Sequence, residues 1–193
     1  MKRSEAFTSL MEVRDDAIVV SVFSSASDWS SISDHPLDFY MVGAMGQASS
    51  IGLGFAIGMP NKKVIVLDGD GSLLMNLGSV VTMASVAPPN LIYFVCQNND
   101  YECIGSYPIP GREQVDFASI ARAAGFDKVY DITNIEDFKS NLPTIITETG
   151  PIFVVLHVEI SGLRRGKDEN LEEILSQYAR RFINEMNRLT VGI

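Results

Sequence analysis

Two hydrophobic signatures take turns along the chain: short unbroken apolar runs, and longer stretches in which apolar residues recur every three or four positions. The runs Asp16–Val22, Val64–Leu67, Leu91–Cys96 and Pro151–Val158 are too short for buried helices and rich in Val, Ile and Leu. They read as strands buried on both faces. Lys128–Asp131 reads as a further short strand, and the apolar Phe39–Val42 leads into Gly43-Ala44-Met45-Gly46-Gln47. Helical spacing predicts a short amphipathic helix over residues 3–14, carried by Ala6, Phe7, Leu10, Met11 and Val13. It also predicts a small-residue helix over Ala48–Ile57, in which Gly52 and Gly54 permit close approach to a strand or another helix. Leu73–Val86 reads as one crossover helix ended by Pro88-Pro89, and Val115–Ala124 as a helix stopped by Gly125. A further helix is capped by Thr133 or Asn134. Leu171, Ile174, Leu175, Tyr178, Ala179, Phe182, Ile183, Met186 and Leu189 trace one apolar stripe on a C-terminal helix at about 168–189, expected to dock on its own domain. Pro60–Lys63 is a turn, while Ser24–Asp38 is polar and aperiodic. It reads as a loop near a strand end, where ligand contacts of α/β folds usually sit.

Strands alternating with helices predict a mainly parallel sheet covered on both faces, a three-layer α/β/α architecture. With 193 residues, 46% of them hydrophobic, and neither repeats nor low-complexity stretches, residues 1–193 read as a single domain. The 24 Asp and Glu against 15 Lys and Arg give a net charge of −9, which disfavours nucleic acid and anionic membrane as partners. An anionic small molecule stays open, because a metal ion or a helix terminus outweighs the global sign locally. Cys96 and Cys103 are too few for a disulfide framework and wrongly spaced for a zinc or iron–sulfur site. Reduced thiols and a cytoplasmic location are the expectation. No apolar run approaches the ~18–20 residues that cross a bilayer. Glu12, Arg14, Asp15 and Asp16 interrupt any secretory signal core.

Candidate chemistry concentrates at two strand ends. The Val64 run ends in Gly69-Asp70-Gly71-Ser72, and the Leu91 run ends in Asn98-Asn99-Asp100, 26 residues further on. Parallel strands joined by one crossover bring Asp70 and Asn98 side by side at the same sheet edge. A carboxylate, an amide oxygen and backbone carbonyls suit a hard cation shared with a phosphate-bearing ligand. Glycines flanking Asp70 permit a tight turn, and the Gly71 and Ser72 N–H groups at a helix start are suited to cradle a diphosphate. Alone, Gly-Asp-Gly is as readily a strand-to-helix turn with a capping Asp, and Met45 as readily core filling.

Taken together, the blocks resemble the fingerprint of thiamine-diphosphate-dependent enzymes: Gly-Asp-Gly followed, after an apolar run, by Asn. The resemblance implies Mg²⁺ held by Asp70, Asn98 and the main chain of Asp100, with Asn99 the rival to Asn98. It implies that the Gly43 carbonyl accepts from the cofactor's 4′-amino group and that Met45 wedges beneath the thiazolium and bends the cofactor. Gly46, Gly69, Gly71, Ser72 and Tyr101 complete the implied cofactor-binding set. The stretches Phe39–Gly54 and Gly71–Gly78 are similar to those of the sulfopyruvate and phosphonopyruvate decarboxylases. That similarity implies a 2-oxoacid decarboxylase acting on a small anionic 2-oxoacid, sulfopyruvate first and phosphonopyruvate next.

Enzymes of this family also need a glutamate from a pyrimidine-binding domain, which protonates the aminopyrimidine and so generates the reactive carbanion. No stretch of this chain is left over for such a domain, and Glu12, Glu102 and Glu113 read as surface or loop residues. The expectation is a hetero-oligomer in which a pyrimidine-binding alpha subunit supplies the activating acid, with no certain catalytic residue in this chain. Other readings are a carboligase of the acetolactate type, the β subunit of a 2-oxoacid oxidoreductase, and a non-enzymatic cofactor-binding regulatory domain. Two cysteines argue against the second, and intact Asp70 and Asn98 against the third. Among lesser signals, His35 is either near the substrate or solvated, and His157 is a core or strand-end residue. Glu102 and Cys103 face the site mouth or are buried structurally. Arg112, Arg164 and Arg165 hold an anion or lie on solvated surface.

Overall fold

The computed structural model describes residues 1–41, 43–161 and 171–190, with side chains in the last helix from Ser176 onward. Val42, residues 168–170 of the expected C-terminal helix, Arg164 and Arg165 lie outside the described residues, as do the side chains of Leu171, Ile174 and Leu175. Strands β1 (Ile18–Val22), β2 (Asp38–Met41), β3 (Val64–Gly69) and β4 (Leu91–Gln97) precede a small ribbon of β5 (Asp100–Tyr101) and β6 (Tyr107–Pro108). Strands β7 (Lys128–Ile132) and β8 (Ile152–His157) complete a six-stranded sheet in the order β2-β1-β3-β4-β8-β7. Every pairing in that sheet is parallel. Ile18, Val20, Val66, Tyr93 and Phe153 enter one core, while Val19, Ile65, Phe94 and Val154 enter the other. Successive side chains point to opposite faces, so two buried faces demand the unbroken apolar runs seen in the sequence.

Helices α3 (Ala48–Gly58), α5 (Ser79–Val86), α6 (Phe117–Ala124) and α8 (Leu171–Thr190) contribute to the first core. Helices α1 (Arg3–Met11), α2 (Phe23–Ser30) and α7 (Ile135–Thr147) carry residues of the second layer, with Trp29 fully buried there. The expected three-layer α/β/α architecture is thus the observed one. Among the described residues, no helix is long and apolar enough to cross a membrane. Asn134, rather than Thr133, caps α7 by accepting from Asp137 N–H at 2.8 Å. Gly125 closes α6 at φ +108°, a conformation that favours glycine.

Three expectations need correction. Ser24–Asp38 is not all loop, because α2 occupies its first half and buries Ser25, Ala26 and Trp29, an i, i+1, i+4 face built largely from small residues. Leu73–Val86 is not one helix: a short α4 (Asp70–Leu74) ends before α5 begins at Ser79. Only one of the two α3 glycines makes a close approach. A Cβ on Gly52 would sit 2.2 Å from Val66 Cγ2, whereas Gly54 has nothing within 4 Å. Helix α8 docks on its own domain, as expected, with Phe182 edge-on to Phe39 and Phe55 at 5.1 and 5.2 Å and Tyr178 against Tyr40 at 4.9 Å. Ala179 and Ile183, assigned to the apolar stripe, are exposed at its margins.

Candidate functional site

In the sheet order, β2 lies on one side of β1 and β3 on the other, so the direction of winding reverses between β1 and β3. Open α/β sheets bind ligands beyond the carboxyl ends of their strands at such a point. A cavity lies there. Phe23, Ser24 and Ser25 line it after β1, and Gly69, Asp70, Gly71 and Ser72 after β3. Asn98, Asp100, Tyr101, Glu102 and Cys103 line it after β4, joined by Met45 and by Arg3 from α1.

The register pairs Gly69 with Cys96, so the turns that follow β3 and β4 are neighbours, as the motif spacing requires. Asp70 is buried at the start of α4. Its Oδ2 accepts from the N–H groups of Asn98 (3.0 Å) and Asn99 (2.6 Å), and its Oδ1 from Gly71 N–H (2.7 Å). A carboxylate offers about four lone-pair sites, so capacity remains for a cation. Burial pushes the Asp70 carboxyl up to about 6, against the pull of those three N–H bonds. Asn98 lines the cavity, its Oδ1 accepting from Asp100 N–H at 3.0 Å and its Nδ2 donating to Glu102 Oε2 at 3.3 Å. Asn99 adopts φ +61°, and its amide oxygen accepts from Gln97 Nε2 at 3.0 Å. Asp100 faces Pro108 across the ribbon, and proline has no N–H to offer its carbonyl. The flanking carbonyls of Asn99 and Tyr101 are taken, by Ile109 N–H (3.3 Å) and Ser106 N–H (3.1 Å).

Gly43 and Gly46 have φ of +90° and +77°, left-handed conformations that explain why this loop uses glycine. Gly46 is clamped between two elements: its N–H donates to Ser72 Oγ at 3.0 Å and its carbonyl accepts from Asn76 Nδ2 at 2.8 Å. Asn76 lies in the break between α4 and α5, so that break ties the glycine loop to the Gly-Asp-Gly turn. Met45 is half-buried, with its Sδ 4.0 Å from Cys103 Sγ. Tyr101 packs its ring on Gly71, where a Cβ would come within 2.4 Å of it. Gly71 N–H, cast as part of a diphosphate cradle, is already engaged by Asp70. Just before the motif, Asp68 is fully buried, and burial raises its carboxyl despite hydrogen bonds from Ser72, Tyr93 and Gly69 N–H.

Sequence reasoning missed the ionic group beside this site. Glu102 is not on the surface; it is buried in the cavity wall, the other placement open to it, at 4% exposure, and pairs with Arg3, equally buried. Arg3 donates from Nε to Asp28 (2.7 Å), from Nη1 to Glu102 Oε2 (3.0 Å) and from Nη2 to Ser161 Oγ (2.9 Å). Burial works to raise the Glu102 carboxyl, but hydrogen bonds from Ser161 and the nearby Arg3 charge outweigh it and hold it below the ordinary range. Cys103 is half-buried in the cavity wall. His35 does not approach the site: it precedes β2, at the opposite edge of the sheet, and its Nδ1 accepts from Leu37 N–H. His157 ends β8 and pairs with Asp131 at 2.6 Å, and Arg112 lies exposed 3.9 Å from Asp100.

The donor set tests what the cavity fits. Among the described residues, no cluster of three or more His, Cys, Asp or Glu side chains is suited to hold a metal. One carboxylate, one amide oxygen and one carbonyl match instead a hard cation that completes its shell with phosphate oxygens and water. Asp100 Oδ1, buried without a partner among the described residues, adds an unsatisfied acceptor to the same wall. The residues present therefore fit Mg²⁺ with a diphosphate.

Fold and cavity together define a class, an α/β domain that binds its cofactor at the switch point of a parallel sheet. Residues 24–156 match the family described as "Thiamine pyrophosphate enzyme, C-terminal TPP binding domain", and the chain belongs to that family. Sulfopyruvate decarboxylase subunit beta of Methanothermobacter thermautotrophicus is 35% identical, with 98% of each chain covered. Phosphonopyruvate decarboxylase of Streptomyces viridochromogenes is 37% identical over 80% of this chain, which spans only 39% of that relative's length. The fold recurs in the X-ray structure of a Mycobacterium smegmatis protein described as a thiamin diphosphate-dependent enzyme. That match has a TM-score of 0.68 at 24% identity and covers 82% of this chain and 32% of the other.

Proposed function

We propose that this chain is the thiamine-diphosphate- and Mg²⁺-binding subunit of a two-component cytoplasmic decarboxylase that converts sulfopyruvate to sulfoacetaldehyde and CO₂. A pyrimidine-binding alpha subunit is its partner. The observation that carries this reading is the extent of the similarity. Sulfopyruvate decarboxylase subunit beta is matched over 98% of this chain at 35% identity in one relative and over 97% at 30% in a second. When bound, thiamine diphosphate would supply the nucleophilic carbanion and the electron sink that decarboxylation of a 2-oxoacid needs.

This chain's part is to hold and orient. Asp70, the Asn98 amide oxygen and the Asp100 carbonyl hold the cation. Asn98 is favoured over Asn99 because Asn98 is the one of the two that lines the cavity. Gly69, Ser72 and the clamped Gly46 shape the diphosphate end, Tyr101 on Gly71 walls it, and the Gly43 carbonyl and Met45 set the bend. We take residues 1–193 as one cofactor-binding domain, a reading supported by Arg3 and Ser161, outside the matched 24–156, which are tied to Glu102 in the cavity wall. The test is CO₂ release from sulfopyruvate, phosphonopyruvate and pyruvate by the chain with and without a pyrimidine-binding partner. The pair should favour sulfopyruvate, and the chain alone should be nearly inactive. Robust turnover without a partner, or pyruvate as the preferred substrate with carbon–carbon ligation, would overturn the reading.

A further inference from the structure

An amide has two ends of nearly equal size and opposite chemistry: an oxygen that accepts, and an NH₂ group that donates. Only the oxygen serves a cation. Asn98 directs its Nδ2 to Glu102 Oε2 (3.3 Å) and accepts at Oδ1 from Asp100 N–H (3.0 Å). Glu102 is itself held on both oxygens. Its Oε1 accepts from Ser161 N–H (2.7 Å) and Oγ (2.6 Å), and its Oε2 also accepts from Arg3 Nη1 (3.0 Å). An ionised carboxylate only accepts, so turning Asn98 over would set oxygen against oxygen at Glu102 and N–H against N–H at Asp100.

We infer that Glu102 is a positioning residue for the metal site: it holds the Asn98 amide with its oxygen end toward the cation, and Arg3 and Ser161 hold Glu102. This inference rests on Asn98 being the Mg²⁺ ligand, as given under Proposed function. Glu102→Gln weakens the bias: the new amide can turn its NH₂ group toward Asn98 and Arg3, which an ionised carboxylate cannot do, or turn it against the donors of Ser161. Asn98 is then held one way up chiefly by the Asp100 N–H.

The test titrates Mg²⁺ calorimetrically, at saturating thiamine diphosphate, into the full chain purified with its partner subunit. Four proteins are compared: wild type, Glu102→Gln, Asn98→Asp and the double variant. A carboxylate at position 98 has two like ends and cannot be the wrong way round, and the oxygen it sets against Glu102 is a repulsion that Glu102→Gln relieves. Glu102→Gln should weaken Mg²⁺ binding about tenfold where Asn98 is present, and less than about twofold in the Asn98→Asp background. Equal losses in both backgrounds would mark a merely structural role and overturn the inference, as would no loss in either. Asn98→Ala separates the two levels. Unchanged Mg²⁺ affinity there refutes the ligand reading and the inference with it, whereas a large loss there, with none from Glu102→Gln, refutes the positioning role alone. If Glu102→Gln does not fold, Glu102→Asp keeps the charge, withdraws the carboxylate by one methylene and carries the same comparison.

Discussion

Replacing Arg3 by Met tests whether the N-terminal helix is integral to the site. The substitution keeps an unbranched side chain of similar reach but deletes the charge and the donors to Asp28, Glu102 and Ser161. Removing one member of a buried ion pair costs about 3–5 kcal/mol, because the other is left buried and uncompensated. Two features place this case at the lower end. Asp28 is 18% exposed and recovers some hydration. Glu102 keeps neutral donors from Ser161 and Asn98. The expected loss is about 3 kcal/mol, or about 6–12 °C in Tm at roughly 2–4 °C per kcal/mol for a chain of this size. Urea unfolding followed by circular dichroism, with a matching thermal scan, measures both. The double variant Arg3→Met, Glu102→Gln should lose less than the sum of the single changes, because the stranded charge is gone. If Arg3→Met stays within about 0.5 kcal/mol of wild type, the buried-pair reasoning is wrong.

Asp70→Ala should weaken Mg²⁺-dependent thiamine diphosphate binding by more than about 100-fold in calorimetry, since it removes the one carboxylate of the donor set. Unchanged affinity would refute the metal assignment. In α3, Gly52→Ala should destabilise by about 1–2 kcal/mol, an overpacking cost against Val66 partly offset by helix propensity. Gly54→Ala, with open space around it, should stabilise by about 0.5–1 kcal/mol, and the same sign for both in urea unfolding would contradict the packing. His35 is held below its ordinary 6.5 by burial and by the nearby Arg14 and Arg181, despite Asp38. The unfolded chain therefore takes up that proton first, and stability falls as pH drops from 6.5 through the lowered folded value. His35→Gln should flatten this part of the profile, and urea midpoints with the same slope in both proteins would dismiss it.

Much of the fold was legible because it rests on local pattern. Val64–Leu67 and Leu91–Cys96 are apolar at every position, which only a doubly covered parallel strand requires, and their ends carry Asp70 and Asn98. What escaped notice depends on distant partners. Helix α2 builds its buried face from Ser25, Ala26 and a single large side chain, Trp29, in a segment that otherwise reads as polar. The break between α4 and α5 falls at Met75–Gly78, where Gly78 is a local signal overlooked amid apolar residues, and Asn76 spends its side chain there on Gly46, thirty positions back. Arg3 and Glu102 meet across 99 positions, and no periodicity or motif announces such a pair.

The state of Glu102 bears on where activation comes from. A group that protonates a ring near neutral pH works best with its own pKa near that pH, and enzymes raise a glutamate toward 7 by burying it with few donors. Glu102, the glutamate in the cavity wall, is buried too, but it accepts from Arg3, from Asn98 and twice from Ser161, and its carboxyl lies below the ordinary range. Here the donors, working against burial, keep the side chain charged. A residue so engaged can align a metal ligand, yet it cannot exchange a proton without giving up the contacts that fix the loop. Under the proposed function the two tasks are divided between chains: an ionised Glu102 fits the holding of a metal ligand here, and the activating glutamate is expected on the partner.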